Sequence, residues 1–304
     1  MLKKKLNNKN TMVIGFAETA TGIGNGVYCK LNHPSSFYIH TTRYQLSEPV
    51  LLNFQEEHCH APSHILYDVK NKNLKRIFKN AENIVLIDDE ITTGKTIKNI
   101  ISALKEKLPW VKNYFAVSIL NWMDDFPKEI EFISLYKGNF TFDSKSYEVE
   151  NPAVSVTENR NSLDIIIPYN FGRFGIQEYV PDFEKYVNLN DLKNKKVLVL
   201  GTGEFMHQSY LLAKYLEDNH IDVYLQSTTR SPISTGADIK SKISFKDNYS
   251  ENIDNFLYNV IDKNYDKIII CYETVFIPEN HHLKAILQEY FKEVDELFFK
   301  TGDE

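Results

Sequence analysis

The run Asn83-Ile84-Val85-Leu86-Ile87 presents apolar side chains to both faces of an extended chain, and two aspartates, Asp88 and Asp89, end it. A strand that is apolar on both sides belongs in the middle of a parallel sheet covered by helices. The run Glu90-Ile91-Thr92-Thr93-Gly94 then leads into a stretch from Thr96 to Leu108 in which Ile97, Ile100, Ile101, Leu104 and Leu108 recur at helical spacing, closed by Pro109. Strand, short polar loop and helix in that order commit this region to an α/β architecture.

Further short apolar runs predict strands at Met12–Phe16, Ser36–His40 and Tyr114–Leu120. From Gly138 to Val187 the rhythm breaks: Asn151-Pro152, Pro168, Gly172, Gly175 and Pro181 punctuate a stretch with no long periodic helix, which reads as an irregular connector. The alternation then resumes, with strands at Lys195–Leu200, Asp222–Gln226 and Lys267–Tyr272 and a helix at Met206–Glu217. The expected organisation is therefore two α/β domains, residues 1–137 and 191–304, joined by a connector over 138–190.

The two regions share a faint internal repeat. Gly15-Phe16-Ala17-Glu18 and Thr41-Thr42-Arg43 in the first are echoed by Gly201-Thr202-Gly203-Glu204 and Thr228-Thr229-Arg230 in the second. Val85-Leu86-Ile87-Asp88-Asp89-Glu90 is echoed by Ile268-Ile269-Ile270-Cys271-Tyr272-Glu273. Duplication of one nucleotide-fold unit explains this, and so do two unrelated α/β domains with chance agreement.

The bulk numbers exclude several classes. With 304 residues and a net charge of −6, the chain is not a nucleic-acid binder that works by bulk basic charge. The one run of basic charge, Lys3-Lys4-Lys5, reads as a frayed polar tail. The three cysteines, Cys29, Cys59 and Cys271, are odd in number and form no Cys-x-x-Cys pair, which suits a reduced cytoplasmic chain. No apolar run reaches the ~18 residues that a membrane helix needs, and the start of the chain has no signal-peptide pattern.

The loop after Ile87 has the chemistry of a sugar-phosphate site. A helix N-terminus offers unpaired N–H groups and positive dipole charge to a phosphate. Thr92, Thr93 and Thr96 add hydroxyls, Lys95 adds a cation, and Gly94 lets the backbone come close. Asp88 and Asp89 can accept hydrogen bonds from vicinal sugar hydroxyls. A Walker A loop is the competing reading of Gly94-Lys95-Thr96, but that motif needs a glycine where Asp89 stands.

This segment resembles the 5-phosphoribosyl 1-pyrophosphate (PRPP) motif of type I phosphoribosyltransferases, with Glu90 as a departure at a position that is usually apolar or small. A closer resemblance covers nearly the whole chain. Gly15 to Gly22, Thr41-Thr42-Arg43, Glu56-Glu57-His58 and Asp88-Asp89-Glu90, followed by Thr229-Arg230-Ser231-Pro232 and Cys271-Tyr272-Glu273-Thr274, are similar to the orotate-like phosphoribosyltransferases of tellurite-resistance (stress-response) operons. These carry a C-terminal TRSP domain.

The resemblance implies a type I parallel sheet followed by a smaller Rossmann-like α/β domain. It implies PRPP and a small-molecule acceptor as partners, Mg2+ as cofactor and a homodimer as a common assembly, with neither nucleic acid nor membrane involved. Asp88, Asp89, Glu90 and Arg43 become the catalytic candidates, with at most a weak share of the Mg2+ for Asp88 and Asp89. Thr92 to Thr96 would hold the 5-phosphate, and Glu18, Thr19, Ala20 and Thr21 with Arg43 the pyrophosphate. Residues 44–64 would form a flexible loop whose Glu57, His58 and His60 face the acceptor; a zinc site built from His58, Cys59, His60 and His64 is a weaker reading.

Gly172-Arg173-Phe174-Gly175 is expected either to reach an active cleft or to be only a turn. In the second domain Glu204, Thr229, Arg230 and Ser231 are the candidates for an acceptor or regulator. The first strand starts close to residue 12. That leaves little chain for the N-terminal hood that type I enzymes commonly carry, so another chain would supply it or the pocket would differ. A PRPP sensor without turnover, or a hydrolase or phosphorylase of ribosyl bonds, remains open beside the transferase reading.

Overall fold

The computed structural model describes residues 1–55, 63–125, 127–139, 141 and 163–301. Its described residues fall into two compact units. One draws on Met1–Tyr44, Glu48–Ala153 and Asn170–Glu178, and the other on Gln45–Ser47, Val154–Tyr169 and Tyr179–Glu304.

The first unit runs α1 (Leu2–Leu6), β1 (Thr11–Gly15), α2 (Ala20–Leu31), β2 (Ser36–His40), β3 (Val50–Gln55), β4 (Ser63–Tyr67), α3 (Lys72–Lys79), β5 (Asn83–Ile87), β6 (Glu90–Ile91), α4 (Lys95–Lys107), β7 (Asn113–Asn121) and β8 (Ile130–Lys137). The sheet order is β2-β1-β5-β7-β6, with β8 also on β7, and every pair is parallel. Every residue of β1, β2 and β5 is buried, as their two-sided apolar pattern requires.

Alternation then divides the core. Met12, Ile14, Ile84 and Leu86 pack with Ile97, Ile100, Ile101 and Leu104 of α4 and with Leu74 of α3. Val13, Val85 and Ile87 pack with Tyr28 and Leu31 of α2. β3 and β4 form an antiparallel hairpin, which adds Leu52, Phe54 and Leu66 to the α4 side.

Two expectations need correction. The Lys3-Lys4-Lys5 run is not a frayed tail. It lies in α1, where Leu2 and Leu6 bury against Tyr28 and Leu31 while the lysines stay exposed. The buried Asn83 side chain donates to Leu6 O (3.0 Å) and to Thr11 Oγ1 (3.2 Å), fixing α1 to the sheet. Nor is 44–64 one flexible loop, because β3 claims 50–55 and β4 begins at 63. Leu52 and Phe54 on one strand, and Ile65, Leu66 and Tyr67 on the other, are buried and supply the apolar surface that a hairpin needs.

The second unit runs β9 (Lys196–Gly201), α5 (His207–Asp218), β10 (Asp222–Ser227), β11 (Lys242–Lys246), β12 (Asp254–Tyr258), β13 (Lys267–Tyr272), α6 (Leu283–Gln288) and β14 (Glu293–Phe298). Its parallel sheet has the order β10-β9-β13-β14, and β11 and β12 form an antiparallel hairpin. Second strand, first, third, fourth, with a hairpin between the second and the third: this is also the path of β2-β1-β5-β7 with β3–β4. Gly172 to Gly175, in the stretch expected to be a connector, packs with the first unit. Ile176 bridges Tyr38 of β2, and Arg173 is fully buried with its Nε donating to Thr42 Oγ1 at 3.2 Å.

Leu6→Ala should therefore cost about 2–5 kcal/mol, as a buried core leucine does, whereas Lys4→Ala should stay within about 0.5 kcal/mol. Urea unfolding of the two variants checks this. Equal, negligible effects would mean that α1 is not part of the core.

Candidate functional site

Glu18, Arg43, Asp88 and Asp89 follow the carboxyl ends of β1, β2 and β5. Register places Gly15 opposite both His40 and Ile87, so the loops that follow leave the sheet at one level. Thr41 ties them together: its N–H donates to Gly15 O (3.0 Å), and its hydroxyl accepts the Ala17 N–H (2.8 Å) and meets His64 Nδ1 (2.9 Å). Arg43 lies two residues on, half-buried, and donates to Ala17 O at 3.2 Å.

In the loop after β1, the Ala17–Glu18 peptide is cis. Glu18 is half-buried and Thr19 exposed, whereas Ala20 and Thr21 are buried in the first turn of α2. The Thr21 hydroxyl and N–H both turn to Glu18 O, at 2.9 and 3.4 Å.

Asp88 and Asp89 follow β5, both half-buried. Asp88 Oδ1 accepts the Asp89 N–H at 3.1 Å, and Asp89 Oδ1 accepts the Glu90 N–H at 3.0 Å. The Asp89 carbonyl takes the N–H groups of Ile119 and Leu120, both at 3.0 Å, which anchors the acid pair to β7. Glu90 accepts the indole N–H of Trp122. Its departure from an apolar residue thus has a physical correlate: the carboxylate clips the loop to the end of β7, a contact that the sequence did not foretell.

Thr92, Thr93 and Lys95 are exposed and Thr96 is half-buried, at the amino end of α4. Gly94 takes the N-cap position with φ of 68° and has no side chain to cap the helix, while the Thr93 hydroxyl accepts the Lys95 N–H at 3.4 Å. A Cβ there would stand 2.7 Å from Met123 Sδ. Glu57, His58 and His60, together with Cys59 of the zinc reading, lie outside the described residues. His64, by contrast, is buried, and its Nδ1 faces Thr41.

Mg2+ prefers hard oxygen donors in an octahedron completed by waters and phosphates. Asp88 and Asp89 offer such oxygens, but among the described residues no three His, Cys, Asp or Glu side chains gather as a cation cage. This donor set fits an ion held mainly by substrate oxygens.

In the second unit Glu204 is buried after β9. Thr229 pairs with Phe256 of β12, and its Oγ1 accepts the Ser231 N–H at 3.1 Å. Arg230 meets Glu251 at 3.4 Å, with both side chains only about a tenth exposed. Ser231 is exposed. Burial pushes the Glu251 carboxyl up to about 7; Asp247 and Glu204 push the same way, and Arg230 opposes them. His207, in the first turn of α5, is driven down to about 4 by burial.

Residues 1–136 match the phosphoribosyl transferase family. Residues 171–290 match the TRSP domain that lies C-terminal to it. The chain carries a phosphoribosyl transferase domain followed by a TRSP domain. The TRSP match begins at 171, although residues 170–178 pack with the first unit. No curated protein matches the chain.

Among solved structures, hypoxanthine phosphoribosyltransferase from Staphylococcus aureus aligns over 45% of this chain and 67% of its own, at 16% identity and a TM-score of 0.28. Adenine phosphoribosyl transferase from Trypanosoma brucei, in complex with AMP, pyrophosphate and ribose-5-phosphate, aligns over 50% and 71% at 15% identity and 0.31. A hypothetical protein from Neisseria gonorrhoeae with bound ppGpp aligns over 45% and 75% at 12% identity and 0.28. The family assignment rests on the two domain matches and not on these likenesses. No helix among the described residues is long and apolar enough to cross a membrane.

A raised carboxyl pKa in the fold stabilises it fully below the ordinary value and loses that contribution as pH rises through the folded value. Glu251 should therefore cost the second unit stability between 4.5 and about 7. In Glu251→Gln, which cannot ionise, the stability relative to wild type should grow from about pH 5 to about pH 8, by on the order of 3 kcal/mol at most. Urea midpoints at the two pH values measure the difference, and a pH-independent offset would contradict it.

Proposed function

We propose that the first unit binds PRPP and transfers its phosphoribosyl group to a ring nitrogen of a nucleobase-like acceptor, with release of pyrophosphate. The observation that carries this reading is the Thr92–Thr96 loop, with Thr92, Thr93 and Lys95 exposed at the amino end of the thirteen-residue α4, set directly after two acids that follow a fully buried central strand. Parallel sheets bind ligands outside the carboxyl ends of their strands, and the open end of α4 suits a dianionic phosphate.

In this reaction the bond from C1 to the pyrophosphate oxygen breaks with its electron pair on the leaving group. The acceptor nitrogen forms the new bond to C1 and loses its proton to a base or to water. Asp88 and Asp89 accept hydrogen bonds from the ribose hydroxyls, and their charge favours the cationic sugar that develops at C1. Arg43, with the loop from Glu18 to Thr21, faces the pyrophosphate. Mg2+, when bound, supplies charge neutralisation on the leaving pyrophosphate. The main chain of the loops, held by Thr41 and by β7, fixes the distance between the two anion sites and so contributes by positioning.

Calorimetric titration of PRPP with Mg2+ tests the reading. Wild type should bind saturably, and Asp88→Asn/Asp89→Asn should bind at least about tenfold more weakly, because two charge-assisted hydrogen bonds are lost. A folded wild type that takes up no PRPP rejects the assignment. Gly94→Ala puts a Cβ at a positive φ and against Met123. It should lower stability by about 1 kcal/mol and weaken PRPP in the same titration.

A further inference from the structure

We propose that the second unit carries its own ligand site, built from Glu204, Arg230 and Glu273, and that its ligand is an unphosphorylated ribosyl compound. This inference rests on the PRPP reading of the first unit for the roles of equivalent residues.

The two units repeat one another bond for bond at the carboxyl edge of the sheet. Thr41 donates to Gly15 O at 3.0 Å, and Thr228 donates to Gly201 O at 3.0 Å. The Thr41 hydroxyl accepts Ala17 N–H at 2.8 Å, and the Thr228 hydroxyl accepts Gly203 N–H at 3.0 Å. Thr42 pairs with Ile65 of its hairpin, as Thr229 does with Phe256. Thr42 Oγ1 accepts Tyr44 N–H and Thr229 Oγ1 accepts Ser231 N–H, both at 3.1 Å. A shared chain path alone does not reproduce four side-chain and backbone bonds of this kind.

Sheet register then fixes the equivalences. Gly15 stands opposite Ile87, and Gly201 opposite Cys271. The sequence comparison that set Asp88 against Cys271 is one residue out of step: Tyr272 takes the place of Asp88, and Glu273 that of Asp89. Glu204 likewise matches Glu18, and Arg230 matches Arg43. Three charged residues of the proposed PRPP site therefore have charged counterparts here.

The phosphate cradle does not. Counting on from Glu273, Thr92-Thr93-Gly94-Lys95-Thr96 becomes Phe276-Ile277-Pro278-Glu279-Asn280. Proline has no N–H to give, and glutamate repels an anion. The helix that follows, α6, has only six residues. Glu204, Glu251 and Glu273 are three acids to one arginine, and Arg230 is paired with Glu251, a balance that favours a ligand rich in hydrogen-bond donors over a phosphate.

Two observations point to an occupant. In the first turn of α5, at the same edge, the Gln208 Nε2 is buried and has no hydrogen-bond partner among the described residues. The tip of the second hairpin, 247–253, lies over Glu273: the Tyr249 hydroxyl donates to Glu273 Oε1 at 2.8 Å. This tip is shaped by Asp247, whose carboxylate accepts the N–H groups of Tyr249, Glu251 and Ile253 at 3.0, 3.2 and 2.8 Å. Tyr249 thus places on Glu273 the hydroxyl contact that a ribose would make, and a ribosyl ligand must displace it.

The test is calorimetry on the full chain carrying Asp88→Asn/Asp89→Asn, with adenosine, D-ribose and AMP as probes. Adenosine or ribose should bind saturably in that background. Tyr249→Phe, which removes the competing hydroxyl but keeps the ring, should tighten binding at least about threefold. Glu273→Gln and, separately, Glu204→Gln should weaken it about tenfold or more, with circular dichroism confirming that each variant is folded. AMP should bind more weakly than adenosine. Adenosine much tighter than ribose identifies a nucleoside site, and equal affinities a pentose site.

Failure of both adenosine and ribose to bind the double mutant and its Tyr249→Phe derivative overturns the proposal. So does binding that is seen in wild type but lost with Asp88 and Asp89, and so does binding that ignores Glu273. A wild type that binds PRPP while no ribosyl compound binds the double mutant retains the first-unit reading and rejects this one.

Discussion

Thr41 holds the functional edge of the first unit together. Its N–H closes onto Gly15 O and its hydroxyl takes Ala17 N–H, so the ends of two neighbouring strands become one rigid corner. The same hydroxyl meets His64 of the hairpin, which brings a third segment to that corner. Arg43 and the loop from Glu18 to Thr21 take their positions from it. The acid pair after β5 is held separately, by the Asp89 carbonyl bonded to β7. Two anchors on one sheet hold the proposed anion sites apart, and the loops themselves have little regular structure to do so.

What the sequence revealed follows from how deeply each element is buried. β2, β5 and β13 fall at the bounds expected from their apolar runs, because a strand enclosed on both faces needs apolar residues at every position. The helix after the acid pair was legible for the same reason, as Ile97, Ile100, Ile101 and Leu104 all face the core. The hairpins β3–β4 and β11–β12 were not, because their short apolar runs are interrupted by polar residues such as Asn53, His64 and Ser244 and show no clear period. α1 was hidden by its lysines, since five residues with only Leu2 and Leu6 inside show no period.

The acids and the threonine loop of the candidate site could be read directly, because their chemistry is local. Trp122 and Met123 could not: they reach the loop from the end of β7, and nothing in their own neighbourhood marks them. Tyr249 and Glu251 were equally invisible. The second unit kept its repeat partly hidden because the matching bonds involve backbone and threonine hydroxyls, while the equivalent of Asp88 is a tyrosine.

Gly15 and Gly201 bear on how such a molecule changes over generations. A Cβ on Gly15 would fall 2.4 Å from the Tyr38 hydroxyl and 2.7 Å from Ala20 O; on Gly201 it would fall 2.7 Å from Met206 Sδ and 2.9 Å from Phe205 O. Both clashes are with the protein's own framework and neither depends on a ligand. Selection for folding alone keeps these glycines, while acids and phosphate loops are free to drift once a site loses its use. In two copies of one ancestral unit, the corner that shapes a pocket would therefore outlast the pocket's chemistry, and kinship would be recorded in residues that never touch a substrate.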